Sequence, residues 1–201
     1  MNQAVEAIQA DPINPKESTQ TDIADMLRGA FQKQREAYLA DPVPDAAQRK
    51  QDLLALKNML TENREAIIDA ISSDYGNRSR HESLFAEIIA VSDGINDTIK
   101  HLKKWMKPQK RHVDVSLYPG AKNRVVPQPL GVVGIIVPWN FPINLSFLPL
   151  AFAFAAGNRA MVKMSENSMA LSRLHRQISP RYFPAEILDW FEETGGVGLE
   201  F

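Results

Sequence analysis

The sequence predicts an α/β fold in which amino-terminal helices and a β-hairpin precede the first part of a parallel sheet. Three observations carry that prediction. Apolar residues recur at helical spacing from about residue 18 to residue 106, as in helices that bury one stripe. A stretch alternating apolar and polar residues around Pro119-Gly120 reads as a hairpin. From Gly131 the pattern becomes a short run with β-branched residues, then an apolar helix, then a second short run, which is a βαβ crossover.

In chain order, residues 1–17 hold Asp11-Pro12 and Asn14-Pro15 with no periodicity and read as a flexible tail. Residues 18–111 form a helical region. Its first helix is expected to be capped at Thr21-Asp22, with a stripe of Ile23, Met26, Leu27, Ala30, Phe31 and Tyr38, and to end at Asp41-Pro42-Val43-Pro44. A second helix is expected over Ala46–Ser72, facing inward with Leu53, Leu56, Leu60, Ile67 and Ile71. Ser79-x-x-Glu82 reads as a capping box for a third, which runs to about Met106 with Leu84, Ile88, Val91, Ile95 and Leu102 on one face. Residues 112–127 form the hairpin, with Val113–Tyr118 as the outgoing strand and Lys122–Val126 as the return.

Residues 128–201 hold the parallel-sheet part. Gly131–Val137 reads as a strand stopped by Pro138, and Asn144–Ala156 as a helix apolar nearly all round, which belongs inside the molecule. Gly157-Asn158 suits its carboxyl end. Arg159–Met164 is the second strand, Ser168–Ile178 a helix, Ile187–Phe191 a further strand, and Thr194-Gly195-Gly196 a loop.

Composition narrows the function classes. A length of 201 residues accommodates one medium domain, or one small and one partial domain. The net charge of −1 argues against binding driven by attraction to nucleic acid or an anionic membrane. Lys100, Lys103, Lys104, Lys107, Lys110 and Arg111 form a basic run, but cations at a helix carboxyl end already offset its dipole. The apolar region 132–156 is interrupted by Pro138, Asn140, Pro142 and Pro149, so it does not read as a membrane span. MNQAVEAIQADP lacks a basic region followed by an apolar one, and a cytoplasmic location is expected. There is no cysteine, hence no disulfide and no cysteine-based metal site; His81, His101, His112 and His175 share no ligand spacing, so no metal is expected.

The polar groups of interest fall just beyond the carboxyl ends of the two strands, where ligands gather in such sheets. They are Asn140, in the turn Trp139-Asn140-Phe141-Pro142, and the corner Lys163/Ser165/Glu166. An asparagine there can donate to a ligand or simply bond its own turn backbone. A lysine or glutamate at a strand end can grip a ligand or sit as a solvated rim charge. Gly131-x-x-Gly134 lies within a strand and does not open a helix, so it is not the usual dinucleotide fingerprint.

PLGVVGIIVPWNFP, followed by an apolar helix, AAGN and K-x-S-E, resembles the aldehyde dehydrogenase superfamily; NRAMVKMSENS, RYFP and FEETGGVG resemble its coniferyl aldehyde dehydrogenases. The resemblance runs from about Ser18 to Phe201 and is dense from Gln128 onward. It implies that residues 128–201 are the first part of a Rossmann-like dinucleotide-binding domain, and that the hairpin joins an oligomerisation surface of a homo-oligomer. It implies oxidation of an aldehyde, aromatic and of the coniferyl type, to the acid, with NAD as acceptor and NADP as the alternative. Asn140 is then the amide donor that stabilises the oxyanion. Lys163 and Glu166, with Ser165, hold the adenine ribose, and the backbone around Val137, Pro138 and Trp139 lines the cofactor cleft. Met164 departs from the pattern, since much of the superfamily has proline there.

The family uses a cysteine nucleophile and a glutamate base far downstream of the K-x-S-E corner. The chain is therefore expected to be the amino-terminal part of a longer enzyme, inactive alone. A non-catalytic protein that binds a nucleotide or pairs with a full-length homologue is the alternative.

Overall fold

The computed structural model describes residues 20–201, so the expected tail over 1–17 lies outside the described residues. The parallel sheet is where the sequence places it. Strands β3 (Val132–Ile136), β4 (Arg159–Lys163) and β5 (Leu188–Phe191) pair in that order, all parallel, with Val132 beside Arg159 and Ala160 beside Leu188. Helix α6 (Asn144–Ala156) crosses from β3 to β4, and α7 (Met169–Ile178) from β4 to β5. Gly157 ends α6 with φ 86°, a left-handed conformation that favours glycine, and its N–H bonds back to Phe154 O at 2.9 Å.

Side chains of β4 alternate between the two faces of the sheet. Ala160 and Val162 join the large core built from α2 (Ala46–Glu62), α3 (Arg64–Tyr75), α5 (Ala90–Trp105), α6 and α7. Met161 points the other way, with Phe191, against Ile23 and Leu27 of α1 (Gln20–Ala40) and Val197 of α8 (Val197–Glu200). Buried Gln34 fixes α1 onto the sheet, its side-chain N–H donating to the carbonyls of Ala160 (2.9 Å) and Ala185 (3.0 Å). No helix among the described residues is long and apolar enough to cross a membrane.

Several elements differ from the sequence expectation. Helix α1 already includes Thr21 and Asp22, and of its expected stripe Met26 and Phe31 are exposed. The single helix over Ala46–Ser72 is two, broken at Asn63, although Leu53, Leu56, Leu60, Ile67 and Ile71 are all fully buried as expected. The Asn63 side chain donates to Met59 O at 2.8 Å and to Tyr182 Oη at 3.0 Å, drawing the chain out of helical register. The third helix starts at α4 (Arg80–Glu82), where Ser79 Oγ accepts from Glu82 N at 3.4 Å, then widens to a π-helix over Ser83–Ile89 before α5. In the hairpin the outgoing strand is β1 (Gln109–Arg111), paired antiparallel with β2 (Asn123–Val125). Val113–Tyr118 is not a strand, because the Asp114 side chain accepts from Ser116 N at 2.9 Å and closes a turn instead. Helix α6 is not wholly internal; Leu145 and Phe152 reach the surface.

Candidate active site

The turn after β3 carries Asn140, and the amino-terminal helices clamp its backbone. The Tyr75 hydroxyl donates to the Trp139 carbonyl, and Arg78 Nη1 donates to the Asn140 carbonyl at 3.1 Å. Arg78 lies 5.0 Å over the rings of both Tyr75 and Phe141 and pairs with Glu87 at 2.9 Å. Fully buried Glu87 uses its other oxygen to accept from the backbone N–H groups of Ile143 (2.8 Å) and Asn144 (3.0 Å), capping α6. Burial pushes the Glu87 carboxyl up, against the opposing pull of the Asn144 amide and Arg78. With the Trp139 and Asn140 carbonyls engaged, the Asn140 side chain is exposed and hydrogen-bonds no described residue.

The second part lies at the end of β4. Val137 N donates to Lys163 O at 2.9 Å, which seats the end of β3 beside the end of β4; Pro138 and Trp139 follow, both exposed. Met164 N donates to Phe191 O at 3.0 Å, a bond that proline could not make, so methionine here extends the pairing of β4 with β5. Ser165 is buried; its hydroxyl donates to Glu166 Oε2 at 3.3 Å and accepts from Asn167 N at 3.2 Å. Glu166 is exposed at the corner.

Lys163 is not the open rim charge that the sequence permits. Its side chain is 9% exposed and its ammonium lies 2.8 Å from Glu193, itself 14% exposed. Glu193 also accepts backbone N–H groups of Gly195 (3.0 Å), Val197 (3.0 Å) and Gly198 (2.8 Å). Burial works to raise the Glu193 carboxyl, but the Lys163 ammonium and the Gly198 and Gly195 amides outweigh it and hold the group down at about 2.

The structure thus brings Val137, Lys163, Ser165 and Glu166 to the carboxyl ends of the adjacent strands β3 and β4, with Asn140 in the turn that follows β3. No hydrogen bond among the described residues joins Asn140 to the Lys163–Glu166 corner. The donor set fits a ribose diol. An ammonium has three N–H donors, of which Glu193 takes one, and the Glu166 carboxylate faces outward to accept. No group of three or more metal-ligating side chains occurs among the described residues. His175 is fully buried, between Phe147 and Trp190.

Tyr75, Arg78, Glu87 and Glu193 are not legible as site residues in the sequence. The first three reach the Asn140 turn from more than fifty positions away in sequence. Glu193 has one pointer, a carboxylate two residues before the Gly195-Gly196 pair, where free backbone N–H groups can wrap an acceptor.

Comparison with known proteins identifies a family. The model of the aldehyde dehydrogenase family matches residues 9–196. The Pseudomonas aeruginosa protein named "Probable coniferyl aldehyde dehydrogenase" is 50% identical over 160 residues, covering 80% of this chain and 33% of that protein. Coniferyl aldehyde dehydrogenase of a Pseudomonas species is 45% identical over the same length, with 80% and 33% covered. The chain therefore spans about a third of the length of these curated relatives. Among solved structures, the substrate-bound state of Staphylococcus aureus AldH has a TM-score of 0.78 at 28% identity, covering 86% of this chain and 37% of that one. A NAD-dependent benzaldehyde dehydrogenase from Corynebacterium glutamicum shares the fold, with a TM-score of 0.72 at 24% identity over 90% of this chain and 38% of that one. A family model spanning nearly the whole chain and relatives of up to half identity point the same way: the chain belongs to the aldehyde dehydrogenase family.

Proposed function

We propose that these residues supply the oxyanion-stabilising amide and the adenosine side of the cofactor site of an enzyme that oxidises an aromatic aldehyde to the carboxylic acid. The acceptor is NAD, which supplies the hydride-accepting nicotinamide when bound. The observation that carries the reading is the Asn140 turn: Tyr75 and Arg78 hold the Trp139 and Asn140 carbonyls, while the Asn140 side chain is exposed and hydrogen-bonds no described residue. An asparagine serving only its own turn would spend that amide on local backbone. A neutral donor in a fixed position can instead meet the charge that develops on an aldehyde oxygen under attack, without protonating it. Lys163 and Glu166 are of the right kind to donate to and accept from ribose hydroxyls.

The coniferyl aldehyde assignment draws on the relatives' names, and the hairpin β1–β2, exposed at all six strand positions, is the surface we assign to assembly of copies. The 201 residues hold no cysteine, so the thiol that the family uses must come from elsewhere in a full-length enzyme.

Measurements on the chain and on a fusion test this. The purified chain is expected to form no NADH from coniferaldehyde above a heat-killed control, and to bind NAD with a Kd near or above 1 mM, about −4 kcal/mol. Fused in register to the remaining two thirds of the Pseudomonas aeruginosa relative, it should gain turnover. In that fusion Asn140→Ala should lower kcat by about 10²–10³-fold with little change in NAD binding. A kcat within about twofold of the parent fusion would remove Asn140 from the oxyanion role.

A further inference from the structure

The contact that the proposed function leaves unexplained is the largely enclosed ion pair at the end of β4. Its lysine is the residue that reading turns toward the ribose, yet the structure commits it to a carboxylate from the loop after β5. The commitment is built on both sides. Three backbone N–H groups hold Glu193 from behind, so it cannot swing away without abandoning all of them. A Cβ on Gly198 would come within 2.9 Å of the Glu193 carboxylate and 3.1 Å of the Lys163 ammonium, so the chain approaches this pair as closely as glycine allows. The next carboxylate along, Glu192, pairs with two largely exposed cations of α7, Arg176 at 3.0 Å and Arg173 at 3.5 Å. Glu166 remains as the outward-facing charge of the corner.

We propose that Glu193 is a specificity-determining residue for the nucleotide: by taking up the charge of Lys163 it denies a 2′-phosphate the cation at the end of β4, so the corner accepts a ribose diol and rejects NADP. This rests on the reading of the corner as the adenine ribose site. The chemistry is a difference of charge. A diol needs only donors and an acceptor, which Lys163 and Glu166 retain while paired. A 2′-phosphate brings close to two negative charges to a place that already holds Glu166 and a neutralised lysine. The depressed Glu193 carboxyl keeps that neutralisation in force throughout the physiological pH range.

The test uses the 201-residue chain and two probes that differ only in the 2′-phosphate, 5′-AMP and adenosine 2′,5′-bisphosphate. Binding is followed by amide chemical shifts of residues 163–167 and 193–198, which report millimolar affinities. In the unsubstituted chain 5′-AMP should bind at least as tightly as the bisphosphate; tighter binding of the bisphosphate would overturn the proposal. Glu193→Gln keeps the shape and one acceptor but frees the Lys163 charge, and should shift the preference toward the bisphosphate by about tenfold. Glu193→Asp, which keeps the charge, should leave the preference on the side of 5′-AMP. An unchanged preference in a Glu193→Gln chain whose thermal melt matches the parent would sink the role of Glu193 while leaving the ribose site intact. Absence of shifts with either probe in every chain would overturn the ribose site and this proposal together.

Discussion

At the scale of single residues, the Asn140 turn depends on groups far from it in sequence. Arg78 joins a fully buried carboxylate to the backbone of the Asn140 turn, so its removal has two consequences. Arg78→Met strands Glu87 in the interior with its charge unpaired, and should cost about 3–5 kcal/mol in urea denaturation. The double variant Arg78→Met/Glu87→Met should recover part of that loss, since no buried charge is left uncompensated, but α6 would then lack its cap. Arg78→Lys should be milder in stability, yet it replaces a fork that holds a carboxylate and a carbonyl together with a point charge. The sequence makes Asn140, Lys163 and Glu166 visible because they sit in a local motif at strand ends. It hides Arg78, Glu87 and Glu193, because each acquires its role through a contact that only the folded chain creates.

At the scale of elements, what was readable was periodicity, and what was not was competition by side chains for backbone. The parallel strands and α6 lie within a residue of their expected bounds, since β-branched runs and a closing glycine leave little choice. The helix break at Asn63 and the displaced outgoing strand of the hairpin share one cause, a short polar side chain bonding nearby main chain in place of the regular ladder. The π-helix over Ser83–Ile89 is a different matter; it surrounds Glu87, whose target at the start of α6 has no trace in the local pattern. Gly157 offers a direct test of an element boundary. A Cβ there would meet the Arg49 guanidinium at 2.8 Å, at a φ that side chains avoid. Arg49 in turn donates to Ala155 O at 3.0 Å and Pro44 O at 2.8 Å, tying the end of α6 to the start of α2. Gly157→Ala should therefore destabilise by about 1–3 kcal/mol, read as a lower urea midpoint with unchanged slope.

At the scale of the whole molecule, acid should act through the core. His175 is sealed against Trp190 and Phe147 with neither ring nitrogen finding a hydrogen-bond partner among the described residues, and burial lowers its pKa from 6.5 to about 3. Between those values the unfolded chain binds a proton that the folded chain refuses, so stability falls as pH drops from about 6.5 toward about 3. His175→Leu should remove that part of the pH dependence and stabilise the protein by about 1 kcal/mol at neutral pH, because two unsatisfied polar atoms leave the interior. Chemical denaturation of parent and variant at paired pH values checks both; parallel stability curves would contradict the prediction. A further consequence follows from the way α1 lies on the sheet. It shares its apolar contacts with α8, from the far end of the described chain, and Gln34 stitches it to the carbonyls of Ala160 and Ala185. The two helices cover the same face of β4 and β5, so neither can lift without baring what the other covers. In hydrogen exchange they should behave as one opening unit, α1 amides gaining or losing protection together with those of α8, while the crossover of β3, α6 and β4 stays closed beneath them.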